Sequence, residues 1–248
     1  MAMQEARDAV VLTGAGISAP SGIPTFRDEG GIWDRFDQLD FHVRRFEADP
    51  AGFWTDRLEL HEAMYAAAPA PNAAHRALAR LAADGPVSTI VTQNTDGLHL
   101  EASRCDGAAV IELHGNASRV VCASCGDRRP VEAALEPVRN GTIPPTCDCG
   151  GVYKPDVVLF GESLPVEAMR RADRRSREAD LFLAVGTSLA VEPAASLPRV
   201  AGASGATVAV VDLAGAPDGL AVDISVEGDV LDVLPDLARA VCGPGDGD

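Results

Sequence analysis

Runs of consecutive apolar residues alternate with helix-like stretches along most of this chain. Six runs have the length and β-branched content of strands buried on both faces. They are Ala9 to Thr13, Val87 to Gln93, Val110 to Leu113, Asp156 to Phe160, Leu181 to Val185 and Thr207 to Leu213. The helix-like stretches are Ala73 to Ala83, Pro165 to Ala179, Pro193 to Ala203 and Leu231 to Val241. This alternation predicts an α/β protein with an open, mostly parallel, doubly wound sheet.

Two segments interrupt the alternation. Residues 116–155 contain four of the six cysteines, many prolines and little apolar periodicity, so we expect an inserted module with its own means of stability. Residues 22–72 form a second insertion with an arginine-rich, aromatic start and a helical middle. The sheet is therefore assigned to residues 1–21, 73–115 and 156–241 within one domain of 248 residues, and residues 243–248 are predicted to be a flexible tail.

Composition and charge limit the class of protein. Hydrophobic residues make up 46% of the chain, enough for a large core, and no apolar run approaches the roughly 20 residues that span a bilayer. The first residues lack the pattern of a secretion signal, so we expect a cytoplasmic protein without a membrane partner. The formal net charge of −16 argues against direct binding of nucleic acid.

The basic residues are unusual in kind, because 20 of the 21 are arginine and Lys154 is the only lysine. Two explanations remain open at this stage. A GC-rich genome favours arginine and aspartate codons, whereas a cytoplasm at molar salt favours acidic, lysine-poor surfaces because screening weakens their self-repulsion.

A glycine-rich turn, Gly14-Ala15-Gly16-Ile17-Ser18, follows the first predicted strand. In a doubly wound sheet, backbone amides at this place can bind a diphosphate. The turn departs from the dehydrogenase pattern G-x-G-x-x-G because Ala19 occupies the position of the last glycine. A nucleotide site and a plain tight turn are both compatible with it.

The cysteines carry a more specific signal. Cys122 and Cys125 form a C-x2-C pair, and Cys147 and Cys149 form a C-x-C pair after 21 intervening residues. Two such pairs in a loop-rich cytoplasmic module indicate a structural zinc site, with a redox switch or fortuitous pairing as alternatives. A site closed by four thiolates would leave no position for substrate. Outside these pairs, Cys105 and Cys242 are predicted to be free thiols.

Polar segments end three of the predicted strands. Gln93, Asn94 and Asp96 lie in TQNTDGLH, and His114 lies in ELHGN, where it is a candidate general base. The segment GTSL begins at Gly186 and offers small and hydroxyl residues. Because open α/β sheets bind ligands at the carboxyl ends of their strands, these side chains are candidates for binding a phosphate, a ribose or an amide.

The ordered set GAGIS, SGIPTFR, TQNTDGLH, ELHG, the two cysteine pairs, PDVVLFGE and GTSLAVEP resembles the sirtuin family of NAD-dependent protein deacylases over residues 8–241. The resemblance implies a Rossmann-like domain and a zinc module on either side of a cleft where NAD meets an acylated lysine. His114 would be catalytic, together with Asn94 and Asp96. The implied cofactor-binding residues are Gly14, Ala15, Gly16, Ser18, Phe26, Arg27, Gln93, Asn94, Asp96, Gly186, Thr187, Ser188, Asp212 and Val230.

The resemblance also implies a reaction and a substrate. NAD would be consumed to remove an acetyl group from lysine, with nicotinamide and 2′-O-acyl-ADP-ribose as products and His114 accepting a proton from a ribose hydroxyl. The segment PDVVLFGE would offer a strand edge to acylated-lysine proteins, with Val158, Phe160 and Gly161 at the substrate. Transfer of ADP-ribose to protein, a dehydrogenase and a non-catalytic NAD-binding protein remain as alternatives.

Four departures from the family pattern bear on these implications. The second cysteine pair is one residue shorter than usual, Thr95 replaces an isoleucine, and Asp212 replaces an asparagine beside the adenine ribose. The fourth departure concerns the acyl group. Trp54 and Arg57 occupy the spacing Y-x2-R that succinyl- and malonyl-preferring sirtuins carry in the acyl pocket, so Arg57 is a candidate partner for an acyl carboxylate. Deacetylation is favoured, and removal of acidic acyl groups stays open.

Overall fold

The computed structural model describes residues 2–26, 30–103 and 109–244. Arg27, Cys105 and residues 245–248 of the predicted tail lie outside this range. The strands are β1 Ala9–Thr13, β2 Val87–Thr92, β3 Ala109–Glu112, β4 Gly115–Cys122, β5 Arg128–Pro130, β6 Tyr153–Val157, β7 Leu181–Val185, β8 Thr207–Asp212 and β9 Ile224–Glu227. The helices are α1 Ala2–Glu5, α2 Val43–Ala48, α3 Pro50–Tyr65, α4 Ala73–Asp84, α5 Leu98–Ala102, α6 Glu132–Arg139, α7 Val166–Glu178, α8 Leu197–Ala203 and α9 Val230–Cys242.

The main sheet has the strand order β3-β2-β1-β7-β8-β9, and each neighbouring pair in the described chain is parallel. This confirms the predicted doubly wound α/β fold. The pattern did not predict β9, whose residues are mostly exposed, because an edge strand lacks the continuous apolar run of a buried one. Chain order reverses between β1 and β7, which places a ligand-binding crevice at their carboxyl ends.

Both faces of this sheet are covered by helices, as the apolar runs require. In β1, Ala9 and Val11 belong to a core built with α1, α4 and α9, whereas Val10 and Leu12 belong to a core built with α7 and α8. All five residues of β1 are buried. Because successive side chains of a strand point to opposite faces, one continuous apolar run contributes to the cores on both sides of the sheet.

A second, antiparallel sheet has the order β5-β4-β6. The prediction of a strand from Asp156 to Phe160 is wrong in both position and partner, because β6 spans Tyr153–Val157 and pairs with β4 in this small sheet. The chain leaves the strand after Val157 and turns back at Glu162, whose Oε2 accepts the Leu159 N–H at 2.8 Å and lies 2.5 Å from Lys154 Nζ. These bonds fold residues 158–162 back onto β6.

The two insertions pack together around one core. Phe53 and Trp54 of α3 lie in the same apolar cluster as Val120 of β4 and Leu135 of α6. The Trp54 indole N–H also donates to the Tyr153 carbonyl of β6 at 2.7 Å. The cysteine-bearing module is therefore stabilised by the helical insertion as well as by its own sheet.

None of the helices within the described residues is long and apolar enough to cross a membrane.

Candidate active site

The loops after β1 and β7 touch at the crevice, and their glycines make this contact possible. The Gly14 N–H donates to Val185 O at 3.1 Å, and the Gly16 N–H donates to Gly186 O at 2.9 Å. A Cβ on Gly14 would lie 2.7 Å from the Thr187 Cβ, and one on Gly16 would lie 2.8 Å from the Gly186 Cα. Gly186 itself has a φ of +54°. The glycines are thus required by the approach of two loops.

This contact changes the interpretation of the glycine-rich turn. The N–H groups of Gly14, Gly16 and Ser18 all donate within the chain, and the residues that follow form two short 3-10 turns, Ala15–Ile17 and Ala19–Ser21, in place of a long helix. The predicted set of free amides is therefore largely occupied. Within the described residues, the Ala15 N–H makes no hydrogen bond and is the amide of this turn left for an anion.

Ser18, Asn94 and Asp96 form one hydrogen-bonded group beneath this turn. The Ser18 hydroxyl donates to Asp96 Oδ2 at 2.7 Å and accepts from Asn94 Nδ2 at 3.0 Å. Asn94 Nδ2 also donates to the Gly14 carbonyl at 3.0 Å. Burial raises the pKa of the Asp96 carboxyl, although hydrogen bonds from Leu98 and Ser18 oppose the rise. The three side chains are thereby held in fixed positions at the crevice.

Two buried histidines, for which the sequence predicted no role, pack beneath this group. His75 Nδ1 accepts the Asn72 N–H at 3.4 Å, so its Nε2 carries the proton and donates to Ser18 Oγ at 3.3 Å. His99 Nε2 lies 2.9 Å from Thr13 Oγ1. Burial lowers the pKa of His75 to about 4 and that of His99 to about 3, so both are neutral near pH 7. The capping box formed by Asn72 and His75 could have identified the first of them.

The remaining predicted cofactor residues follow the carboxyl edge of the sheet from β2 to α9. Gln93 Nε2 donates to Thr187 Oγ1 at 2.8 Å, which joins the loops after β2 and β7. Ser188 is exposed beside it, and Asp212 ends β8, where its carboxylate accepts the Ala214 N–H at 3.0 Å. The others are Phe26, whose ring lies 5.6 Å from that of Trp33, and Val230, buried in the first turn of α9.

His114 lies between the two sheets, directly before β4. Its Nδ1 is 2.7 Å from the carbonyl oxygen of Gln93. Because a carbonyl can only accept, Nδ1 carries the proton, and Nε2 of the neutral ring keeps its lone pair. Burial lowers the pKa of His114 below its usual value, which favours this neutral form at pH 7. The ring nitrogen Nε2 of His114 is therefore able to accept a proton.

A cavity of about 740 Å³ brings His114 together with three of the five predicted substrate residues, Val158, Phe160 and Gly161. The main-chain groups of these residues are less available for pairing with a peptide than those of an open strand edge would be. The Val158 N–H donates to His114 O at 2.9 Å, and the Phe160 carbonyl accepts the Val43 N–H at 2.9 Å. The segment is therefore fixed on one side to His114 and on the other to the helical insertion.

Trp54 and Arg57 do not line this cavity. Trp54 is fully buried in the core shared by the two insertions. Arg57 is 8% exposed, and within the described residues its guanidinium has no ion pair or hydrogen bond. Burial lowers the pKa of Arg57 from its usual value. The structure thus places Trp54 in a packing role, and among the residues it describes no carboxylate pairs with the buried Arg57.

The four cysteines of the module converge as predicted. Their sulfur atoms all lie within 4.8 Å of one another, with Cys122 and Cys149 at 3.5 Å and Cys125 and Cys147 at 3.8 Å. Four thiolates at about 2.3 Å from a zinc ion are separated from each other by roughly 3.8 Å, so the cluster fits tetrahedral zinc. The shortened C-x-C pair is accommodated because each of its sulfurs faces a sulfur of the other pair.

Comparison with known proteins agrees with this architecture. A model of the Sir2 family matches residues 14–193. The chain is 52% identical over 240 residues to an NAD-dependent protein deacetylase of Haloarcula marismortui, covering 96% of this chain and 91% of that one. A solved Sir2–p53 peptide–NAD+ complex has a TM-score of 0.82 and 35% identity, covering 96% of this chain and 93% of the other. A Sir2 structure with a propionylated peptide has a TM-score of 0.84 and 33% identity, covering 98% and 97%. On this evidence the chain belongs to the Sir2 family, the sirtuins.

Proposed function

We propose that this chain removes acetyl groups from protein lysines at the expense of NAD, with nicotinamide and 2′-O-acyl-ADP-ribose as products. The observation that carries the proposal is the orientation of His114, whose Nδ1–H is fixed on Gln93 O while Nε2 is left as a base in the cavity wall. The similar deacetylase and the similar peptide and NAD complex support the same reaction.

The residues of the crevice fit NAD by the chemistry of their donors and acceptors. The Ala15 amide is suited to the diphosphate, and the Gln93 and Asn94 side chains to the nicotinamide ribose. The Asp96 carboxyl is suited to the carboxamide, and Thr187 with Asp212 to the adenosine half. Bound NAD supplies an electrophilic ribose carbon with nicotinamide as its leaving group. The chain's own contribution is to orient this carbon and to hold a base, His114, for a ribose hydroxyl.

The protonation of His114 predicts the acid limb of the pH profile. Since burial lowers the pKa of His114 below 6.5, the neutral base persists to lower pH than in a free imidazole. We expect kcat/KM to stay level from pH 7.5 to about 6.5 and to fall only below that pH, by tenfold per unit once His114 protonates. Initial rates with an acetylated peptide, which carries no charge on its lysine, measure this limb. A midpoint at or above pH 6.5 would contradict the assignment.

A stability control is needed in the same range. His75 and His99 bind protons in the unfolded chain near pH 6.5 but in the folded chain only at about 4 and 3. Between these values the unfolded state holds more protons, so the free energy of unfolding decreases as the pH falls. The activity profile is therefore read only at pH values where the melting temperature is unchanged.

A second candidate activity, removal of acidic acyl groups, is favoured by a polar cluster on α3. Arg57, His61 and Tyr65 recur every four residues and so share one face of the helix. His61 Nδ1 and Tyr65 Oη are buried without a hydrogen-bond partner in the described chain. The Asp96 carboxylate is close enough to add to the rise in the Tyr65 pKa, to about 12, that burial causes. A buried cation and two unsatisfied polar atoms thus border the proposed nicotinamide site.

This cluster has the chemistry to accept a carboxylate. Burial and the neighbouring guanidinium lower the pKa of His61 to about 4, so Arg57 is the cation of the group at neutral pH. A buried charge without a partner is unfavourable, and an acyl carboxylate would relieve it. Propionyl, succinyl and acetyl groups differ in this respect, because only succinyl offers an anion to Arg57.

Mass spectrometry of reactions with NAD and matched acetyl- and succinyl-lysine peptides, at low and molar potassium chloride, tests both activities. Stoichiometric nicotinamide and O-acyl-ADP-ribose are expected. Consumption of NAD without loss of an acyl group would favour ADP-ribosyl transfer or NAD hydrolysis. If Arg57 binds an acyl carboxylate, Arg57→Gln lowers kcat/KM for the succinyl peptide by about 10- to 100-fold, as expected for a lost charged hydrogen bond, and spares the acetyl peptide.

Arg44→Gln is the matched control, because Arg44 is exposed on the neighbouring helix α2. It should leave both peptides unaffected. Equal losses for the two peptides in Arg57→Gln would show that Arg57 supports the fold of α3 and does not select the acyl group.

A further inference from the structure

The cavity that contains His114 continues past the proposed acyl-lysine site onto helix α7. Its far wall is formed by Val166, Met169, Arg170 and Asp173, which share one face of the first two turns of that helix. Val166 is 61% exposed. A substrate segment lying in this cavity would therefore contact α7 with residues that flank the acylated lysine.

The carboxylates around this cavity are compensated by neighbouring cations. Glu162 pairs with Lys154 Nζ at 2.5 Å. Asp173 accepts from Arg177 at 2.8 Å and 3.0 Å. Glu192, on the opposite wall, lies 3.7 Å from Arg199, and both of these side chains are 60% exposed. The acidic character of the cavity wall is thus reduced.

Arg170 is the exception among the charged groups of this wall. It is exposed, and within the described part of the chain it makes neither an ion pair nor a hydrogen bond. Its helix carries five arginines against three acidic residues in a chain of net charge −16. Arg175 is bound at the other end of the helix by Asp8 at 2.8 Å. Arg171 and Arg174 also make no ion pair within the described residues, but of these three arginines Arg170 is the one that lines the cavity.

We infer that Arg170 makes the cleft select acylated lysines that have an acidic residue a few positions away on one side. The inference rests on the proposed function, because it assumes that the cavity holds the acylated segment. Net repulsion from the acidic protein surface does not cancel the local attraction. At 0.15 M salt the Debye length is about 8 Å, so a carboxylate in contact with Arg170 is influenced mainly by that guanidinium and its immediate neighbours.

Acetyl-lysine peptides that place Asp, Asn or Lys at each of the four positions on either side test the inference. At positions that reach Arg170, we expect Asp to raise kcat/KM over Asn by about two- to fivefold, mainly through KM, which is the range of exposed ion pairs. Lys at the same positions lowers it. The ratio of Asp to Asn should shrink as potassium chloride is raised toward 1 M.

Charge reversal provides the decisive comparison. Arg170→Glu should invert the order so that the Lys peptide becomes the better substrate at those positions. Arg171→Glu makes the same change in charge at an exposed neighbour that does not line the cavity, and it should keep the preference for Asp. An equal shift in both variants would attribute the effect to net charge and overturn the inference.

The neutral Asn peptides separate this inference from the proposed function. If the wild-type protein deacetylates them but shows no difference between Asp and Asn at any position, the selection by Arg170 is refuted while the deacylase activity stands. If they are not deacetylated, whereas NAD still binds, the proposed function itself fails and the inference fails with it.

Discussion

Replacing His114 with alanine is expected to lower turnover at least about 100-fold while leaving NAD binding intact, which is the loss typical of a missing general base. The structural reason is the fixed tautomer. Gln93 O accepts the Nδ1–H, so Nε2 is the atom that can take a proton, and no other imidazole lines the cavity within the described chain. Single-turnover acyl transfer and NAD affinity, measured separately, report the two properties.

His61→Gln is a useful comparison, because His61 is also partly buried, and burial lowers its pKa, but it does not line the cavity. Its acetyl-lysine turnover should fall far less than that of His114→Ala. Turnover of His114→Ala within tenfold of the wild type, with an unchanged melting temperature, would exclude the role of general base.

Loss of the four-cysteine site is expected to have the largest effect on stability. Structural zinc binds with about 10–16 kcal/mol in small zinc domains, far more than one side-chain contact contributes. Cys122→Ser should therefore remove the metal, unfold β4, β5 and α6, and abolish activity, because β4 begins next to His114. Metal content by mass spectrometry and circular dichroism with heating measure these effects.

Cys242→Ser is the matched control, since this thiol lies in α9 outside the cluster. It should retain one zinc per chain and near-normal stability. A Cys122→Ser protein that has no metal yet melts at the wild-type temperature would show that the core shared by α3, β4 and α6 suffices without zinc.

The main sheet was predictable from the sequence, because parallel strands that are buried on both faces appear as continuous apolar runs. β1 and β7 are of this kind. The small antiparallel sheet was much less predictable. Tyr153–Val157 mixes lysine, proline and aspartate with apolar residues, and its boundary depends on the Lys154–Glu162 pair, which joins residues eight apart. Such a contact is not visible in local periodicity.

The candidate site was predictable in its residues but not in all of their partners. Motifs indicated Asn94, Asp96 and His114, and the structure brings the first two together through Ser18. The glycine-rich turn was interpreted as a set of free amides, yet local 3-10 turns occupy the amides of Ile17 and Ser18, and bonds across to Val185 and Gly186 occupy those of Gly14 and Gly16. Those bonds connect segments about 170 residues apart in the chain, so no reading of a local pattern could supply them.

The pairing of β4 with β6 connects the four-cysteine site to the cavity that contains His114. β4 starts at Gly115, next to His114, and ends at Cys122. Its antiparallel partner β6 starts four residues after Cys149 and ends next to Val158 in the cavity wall. The two strands form an antiparallel ribbon, and a zinc ion would fix the end of this ribbon that lies away from His114. The width of the cavity beside His114 would then depend on an ion bound where Cys122 pairs with Tyr153, four residues or roughly 13 Å of strand from the pairing of Gly115 with Val157.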